Sequence, residues 1–304
     1  MTHHFTRRDF MRQTAGTAAA AVGGSLLWDP ASAGLAPLAA AMTQAPRHAR
    51  AAAVTVVRDR AALSASHEVD RTVLGRMLAD AVMHVTGART PRAAWQALIK
   101  PVDVVGLVPT SHLNPTHPEV VDAVRQALLD AGVPAARITN ANGGPEQARA
   151  CTALVALPAL KAHWLTGIGT VLKNYILFSG APSRYHDENN VKLGEIWNLP
   201  EVKGKTRLVL VDALRPLCDK GPQPDPRYLW DYNGLIAGTD PVAVEAIALK
   251  IILGKRQQLR GEPWPLSPPP LCVEAADKVY GLGTSKMEEI KIQHSGWAEE
   301  LLVG

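Results

Sequence analysis

Two lysines and a histidine stand out in the stretch LPALKAHWLTGIGTVLKN, residues 157–174, which is otherwise apolar and rich in glycine. Lys161 and His163 are two residues apart, so an extended chain would point both side chains to one side. Lys173 and Asn174 follow one loop later. Such groups, if they converge, could bind a phosphate, a carboxylate or an enolate-like oxyanion. A desolvated lysine beside another cation could also act as a base or a nucleophile.

Four further residues are candidates for the same site. Asp212 closes the apolar run TRLVLVDAL and could tune His163 or a lysine. His186 lies in the polar loop YHDENN, and Gly167 belongs to the motif itself. Asp240 precedes a proline, a pair that is typical of a helix N-cap, and we include it as a ligand-binding candidate.

A metal site is an alternative for the same residues. If the YHDENN loop folds over the motif, His163 and His186 could share a metal with Asp187 or Asp212. The chain has no CxxC pair, so we expect no iron–sulfur cluster bound by its own thiolates. The cysteines are far apart in sequence and odd in number: Cys151, Cys218 and Cys272.

Apolar runs rich in branched residues predict the strands that must carry these groups. VDVVGLV, CTALVALPALK and TRLVLVDAL are continuous, which favours strands that are covered on both faces. In such sheets ligands bind beyond the carboxyl ends of the strands, where we place Lys161, His163 and Asp212. The pattern predicts an α/β fold with a mostly parallel central sheet, helices on both faces and long irregular loop excursions.

Helix signals separate the strand candidates. Ser66 would begin a helix that runs to Val85, and Thr116 with Glu119 would form a capping box. Residues 169–178 would form the helix after the motif, so that Lys173 and Asn174 would open it. Asp240 and Pro241 would begin a long apolar helix.

The start of the chain predicts export. Thr6-Arg7-Arg8-Asp9-Phe10 precedes a weakly apolar segment, the pattern of a twin-arginine leader, with a cleavage site after Ala33 or Ala41. We therefore predict a signal peptide over residues 1–33, a flexible tail over 34–50 and a single α/β domain over 51–304. The expected location is the periplasm or another extracytoplasmic space, reached through the twin-arginine machinery, and we expect no transmembrane span in the mature chain.

The composition excludes a nucleic-acid-binding role. A net charge of +4 is spread along the chain, no Lys/Arg-rich run occurs, and aromatic residues make up 5% of the sequence. Neither a basic patch nor a base-stacking platform is present.

Five stretches, taken in order, resemble the family known as domain of unknown function 362, in its exported form without a ferredoxin-type cysteine module. They are THPEVVDAVRQALLDAGVP, LPALKAHWLTGIGTVLKN, RYHDENN, KTRLVLVDALRPLCDKGP and GLIAGTDPVAVEAIAL. The resemblance implies an α/β protein and does not imply a reaction. The chain departs from the family pattern at 106–110 and at 140–142, where a lysine and an aspartate are expected and absent.

Two functions remain open from the sequence. The first is a periplasmic enzyme for a small anionic substrate, in which Lys161 and Lys173 hold the anion, His163 transfers protons, Asn174 orients and Asp212 tunes. The second is a non-catalytic binding protein or accessory subunit, exported in the folded state with a redox partner protein. The two missing residues favour the second function, and the substrate, the cofactors and the oligomeric state are not predicted.

Overall fold

The computed structural model describes residues 52–186 and 191–303. The predicted leader, the predicted tail and Asp187 lie outside these residues. The described part contains nine strands. They are β1 (Ala52–Arg58), β2 (Val105–Pro109), β3 (Ile138–Asn140), β4 (Ala153–Leu157), β5 (Ala159–His163), β6 (Gly167–Ile168), β7 (Thr206–Leu217), β8 (Gly234–Gly238) and β9 (Ile290–Gly296).

Seven α-helices accompany the strands in the same described ranges, together with several short 3-10 helices. They are α1 (Arg71–Thr86), α2 (Pro91–Leu98), α3 (Pro118–Asp130), α4 (Pro145–Ala150), α5 (Leu193–Trp197), α6 (Pro241–Arg260) and α7 (Leu271–Lys278). None of the described helices is both long enough and apolar enough to cross a membrane.

The strands form one sheet in the order β3-β2-β4-β7-β8-β1-β9, and β5 and β6 branch from β7. Strands β3, β2, β4 and β7 are parallel to one another. Strand β8 runs antiparallel to both β7 and β1, and β9 is parallel to β1. The prediction of a mostly parallel sheet is confirmed, and β8 is the strand of this path that runs in the opposite direction.

The sheet separates two hydrophobic layers, as the alternation along β7 shows. Val209 and Val211 pack in one core with side chains from α5, α6 and α7. Leu208 and Leu210 pack in the other core with side chains from α1, α2 and α3. Because successive side chains of a strand point to opposite faces, an uninterrupted apolar strand requires this double cover. Helices therefore lie on both faces, as predicted.

Two helix starts differ from the predictions. Asp70, not Ser66, caps α1, and its carboxylate accepts from two backbone N–H groups of the first turn. Ser66 belongs instead to a tight loop in which the Ser64 hydroxyl accepts from the N–H groups of Ser66 and Glu68. Thr116 is not a cap either, because its hydroxyl donates to a carbonyl at the end of β4. The sequence contains more capping-type residues than helix starts, and tertiary acceptors decide which are used.

Candidate functional site

The LPALKAH run, which the sequence predicts as part of one strand, is divided at Pro158 into β4 and β5. Proline cannot donate a ladder hydrogen bond, and β5 pairs with the far half of β7 after a shift in register. Leu160 and Ala162 pack in the core on the α6 side. Lys161 and His163 alternate with them, so they point to the other face of the strand, as the two-residue spacing predicts.

Lys161 is buried, with 4% of its surface exposed, and its ammonium group lies against three consecutive carbonyls. Its Nζ donates to Leu113 O at 2.7 Å, to Asn114 O at 3.0 Å and to His112 O at 3.5 Å. Burial and the charge of Lys173 lower the pKa of Lys161 to about 7, whereas the three acceptors favour the charged form. Lys161 therefore holds the loop after β2 and directs its charge into that loop.

His163 is buried, with 6% of its surface exposed. Its Nδ1 accepts from the N–H of Leu165 at 3.1 Å, so the ring proton lies on Nε2. Burial, followed by the charges of Lys173, His186 and Lys161, lowers the pKa of His163 to about 2. At neutral pH the imidazole can donate a hydrogen bond to an anion through Nε2, but it is not a cation.

We expect His163 to make the protein sensitive to acid. Its pKa is about 2 in the folded state, against 6.5 for an ordinary histidine, so the unfolded chain binds more protons and stability falls as the pH drops below 6.5. The loss between pH 6.5 and pH 5 should be about 2 kcal/mol. His163→Asn keeps an acceptor for the Leu165 N–H and should remove that part of the loss. Urea unfolding at both pH values tests this, and an unchanged pH dependence in the variant would contradict it.

Lys173 and His186 form a hydrogen-bonded pair beside His163. The distance from Lys173 Nζ to His186 Nε2 is 2.7 Å, and His186 Nδ1 lies 2.8 Å from Pro182 O. Because a carbonyl only accepts, Nδ1 carries the proton and Nε2 accepts from the lysine. The ring centroids of His163 and His186 are 6.1 Å apart. Burial lowers the pKa of Lys173 to about 8, so its ammonium group can release a proton close to neutral pH.

The prediction that Lys173 opens a helix over 169–178 is wrong. Lys173 lies in a run of turns that precedes the 3-10 helix Ile176–Ser179. The reason is a buried carboxylate on α6, since Glu245 accepts from the backbone N–H of Leu172 and so holds the turns against α6. The positive charge near Lys173, His163 and His186 therefore comes from side chains and not from a helix N-terminus.

Asn174 and Gly167 fix the backbone around the cluster. The Asn174 amide donates to Val108 O of β2 at 2.7 Å, which ties the turns to the sheet. Gly167 has a φ of 73°, and a Cβ atom there would lie 2.7 Å from Pro268 O. Only glycine combines this conformation with so close a backbone contact. The contacts of both residues are structural, and their sequence-predicted roles toward a ligand stay predictions.

Asp212 lies inside β7, not beyond its end, and it is paired with a residue that the sequence did not single out. Its Oδ2 accepts from both the backbone N–H and the ring Nδ1 of His117, each at 2.7 Å, and its Oδ1 accepts from Leu214 N at 3.1 Å. Burial opposes protonation of His117, but the hydrogen bond and charge of Asp212 and the charge of Glu119 raise its pKa. The structure thus places Asp212 with His117 and not with His163.

Asp240 is a helix cap, as the Asp-Pro pair predicts. One carboxylate oxygen accepts from Val242 N and Ala243 N, and the other accepts from Thr284 N. Asp240 follows β8, whose end pairs with the first half of β7, whereas β5 pairs with the second half. Asp240 therefore lies at the other end of the sheet from Lys161, and the structure does not bring it to the cluster.

Two of the side chains that the sequence predicts as metal ligands lie close together in the structure. His163 and His186 are neighbours, but Asp187 lies outside the described residues and Asp212 is bonded to His117. Within the ranges that the structure describes, no group of three or more histidine, cysteine, aspartate or glutamate side chains is placed to hold a metal ion.

The middle of the chain matches one family model. Residues 144–250 match the model of the family described as domain of unknown function, DUF362. This segment is similar to DUF362. The match covers four of the five stretches that carry the resemblance and omits THPEVVDAVRQALLDAGVP. No curated protein and no solved structure matches the chain.

The DUF362 segment contains the strand, the turns and the helix that build the cluster. Lys161, His163, Lys173 and His186 all lie within it. The loop of residues 112–114 that receives the Lys161 ammonium group lies before it, as does His117. The geometry of the site therefore depends on contacts between the DUF362 segment and the chain that precedes it.

Two functional candidates were missed from the sequence. His117 precedes a helix proline, and its partner Asp212 is 95 residues away, so no local signal points to the pair. Glu245 offered a signal, because it is the single carboxylate in the apolar run PVAVEAIAL, and a carboxylate is unusual in a buried helix. It lies within the DUF362 segment and supports the turns that carry Lys173.

Proposed function

We propose that this protein binds a small anionic ligand at the cluster formed by Lys173, His163 and His186. One observation carries the proposal: Lys173 Nζ lies 2.7 Å from His186 Nε2, and the His186 ring lies 6.1 Å from that of the buried His163. Burial first, and then the charges of neighbouring basic groups, lower the pKa values of Lys161 and His163. A bound anion would relieve this repulsion and would favour the charged form of Lys173. The Nε2–H of His163 would supply a neutral donor beside it.

The positions of the side chains support binding of an anion more strongly than they support its chemical conversion. An enzyme built on all five predicted groups would need Lys161 and Asp212 to face the ligand. Lys161 is directed to loop carbonyls and Asp212 to His117, which favours a binding role. If the ligand is converted, Lys173 is the proposed acid–base group, because its pKa of about 8 permits proton transfer near neutral pH.

Calorimetric titration of the full chain with phosphate and with acetate tests the proposal. We expect binding at pH 7 that weakens about tenfold at pH 9, because Lys173 loses its proton between these values. The sign follows from the cationic form binding the anion, so affinity increases as the pH falls through about 8. Absence of binding for both anions at pH 7 would refute the proposal, and pH-independent binding would remove Lys173 from it.

Export by the twin-arginine route belongs to the same proposal and is supported by the sequence around Arg7 and Arg8. A ligand-binding protein in the periplasm would meet small anions that enter from outside the cell. Fractionation of cells that express the full chain tests the location, and recovery from the cytoplasm alone would contradict it.

A further inference from the structure

Two large apolar side chains are exposed on residues that contact the site: the Leu113 carbonyl binds Lys161, and the Trp164 ring lies near His163. Leu113 is 43% exposed and Trp164 is 49% exposed. Val102 and Leu259 are the other large apolar residues with comparable exposure in the described ranges. An isolated exposed apolar residue is ordinary, but an exposed tryptophan whose ring faces a buried imidazole is typical of the wall of a binding site.

The backbone of Leu113 is held in place by Lys161. Its carbonyl accepts from Lys161 Nζ at 2.7 Å, and its backbone lies in the left-handed region with a φ of 56°. Leucine rarely adopts this conformation, and the next residue, Asn114, adopts it too with a φ of 65°. The Lys161 ammonium group binds the carbonyls of both residues and so stabilises this pair of conformations, in which the Leu113 side chain is exposed.

Trp164 borders the cluster from the end of β5. Its backbone N–H donates to Gly221 O at 2.9 Å, which fixes the start of the turn after the strand. Its indole ring is within 8° of parallel to the imidazole of His163, with the ring centroids 6.3 Å apart. Trp164 therefore borders the site at the His163 end of β5.

We propose that the ligand carries a flat apolar group next to its anionic group, as an aryl carboxylate does, and that Trp164 binds the flat group while Lys173 and the Nε2–H of His163 bind the carboxylate. This inference rests on the proposed anion site and adds the chemical class of its ligand. An indole face attracts aromatic rings and cations alike. The ammonium group of Lys173 disfavours a cation here and favours an aromatic ligand that carries a negative charge.

Benzoate and acetate are the probes, because they share a carboxylate and differ in the ring. We expect the full chain to bind benzoate at least tenfold more tightly than acetate at pH 7. Trp164→Ala should weaken benzoate binding about tenfold and leave acetate binding unchanged. Leu259→Ala, which removes an equally exposed side chain on α6, is the matched control and should change neither affinity.

The outcomes separate this inference from the proposed function. Equal affinity for benzoate and acetate would overturn the inference and leave the anion site standing. Tighter benzoate binding that Trp164→Ala does not weaken would also overturn it, because the ring would then bind elsewhere. If neither benzoate nor acetate binds, the inference fails, and the anion site fails with it when phosphate does not bind either. Because Trp164 is exposed, its truncation should leave the melting temperature within a few degrees of the parent value.

Discussion

Lys173→Met should weaken binding of phosphate and of carboxylates by about 100-fold at pH 7, the effect of removing a largely desolvated charge from a charge–charge contact. The protein should not lose stability at the same time. Burial lowers the pKa of Lys173, so the charged form costs folding free energy, and methionine has a similar length without that cost. Calorimetric titration together with urea unfolding measures both quantities on one sample.

Lys203→Met is the matched control, because Lys203 is an exposed lysine in the turns before β7. The control should bind anions as the parent protein does and should unfold at the same urea concentration. Unchanged anion affinity in Lys173→Met would contradict the assignment of the anion contact. Loss of binding in both variants would show a general charge effect instead of a site.

The fold was predictable because its strands are apolar runs that only a doubly covered sheet can bury. The positions of strands β2, β4 and β7 can be predicted from the apolar composition of their segments alone. The antiparallel direction of β8 did not follow, since a five-residue buried strand has the same pattern in either direction. The turns around Lys173 were misread as a helix because the residue that holds them, Glu245, lies 73 positions from Leu172.

The side of the strand on which Lys161 and His163 lie was predictable, and the partners of the candidate residues were not. The two-residue spacing places Lys161 and His163 on one side of a strand, and this holds in β5. The partner to which each side chain donates depends on acceptors that are distant in sequence. The clearest example is the Lys161 ammonium group, which donates to carbonyls 48 and 47 residues earlier in the chain. Partners of this kind leave no local trace, so the sequence could not distinguish a lysine that faces a ligand from one that holds a loop.

Glu245→Gln should raise the free energy of unfolding by about 3 kcal/mol at pH 7. Glu245 is fully buried, and burial raises its pKa from 4.5 to about 8, against the opposing effect of the Leu172 and Val171 N–H groups. The folded state therefore binds more protons than the unfolded state between these values. The stability of the parent protein falls as the pH rises from 4.5 to 8, and glutamine, which does not titrate, avoids that loss.

The pH dependence distinguishes this mechanism from a simple packing change. The advantage of Glu245→Gln should be near zero at pH 4.5 and should grow toward pH 7, when urea unfolding of both proteins is compared across the range. Glutamine keeps a carbonyl oxygen for the Leu172 N–H, so anion affinity should be unchanged, whereas Glu245→Ala removes that acceptor and should weaken both stability and binding. Glu262→Gln, at an exposed carboxylate, should have little effect at any pH. A stability difference that is the same at every pH would show that Glu245 is ionised in the fold, and α6 would then hold a buried negative charge against the turns that carry Lys173.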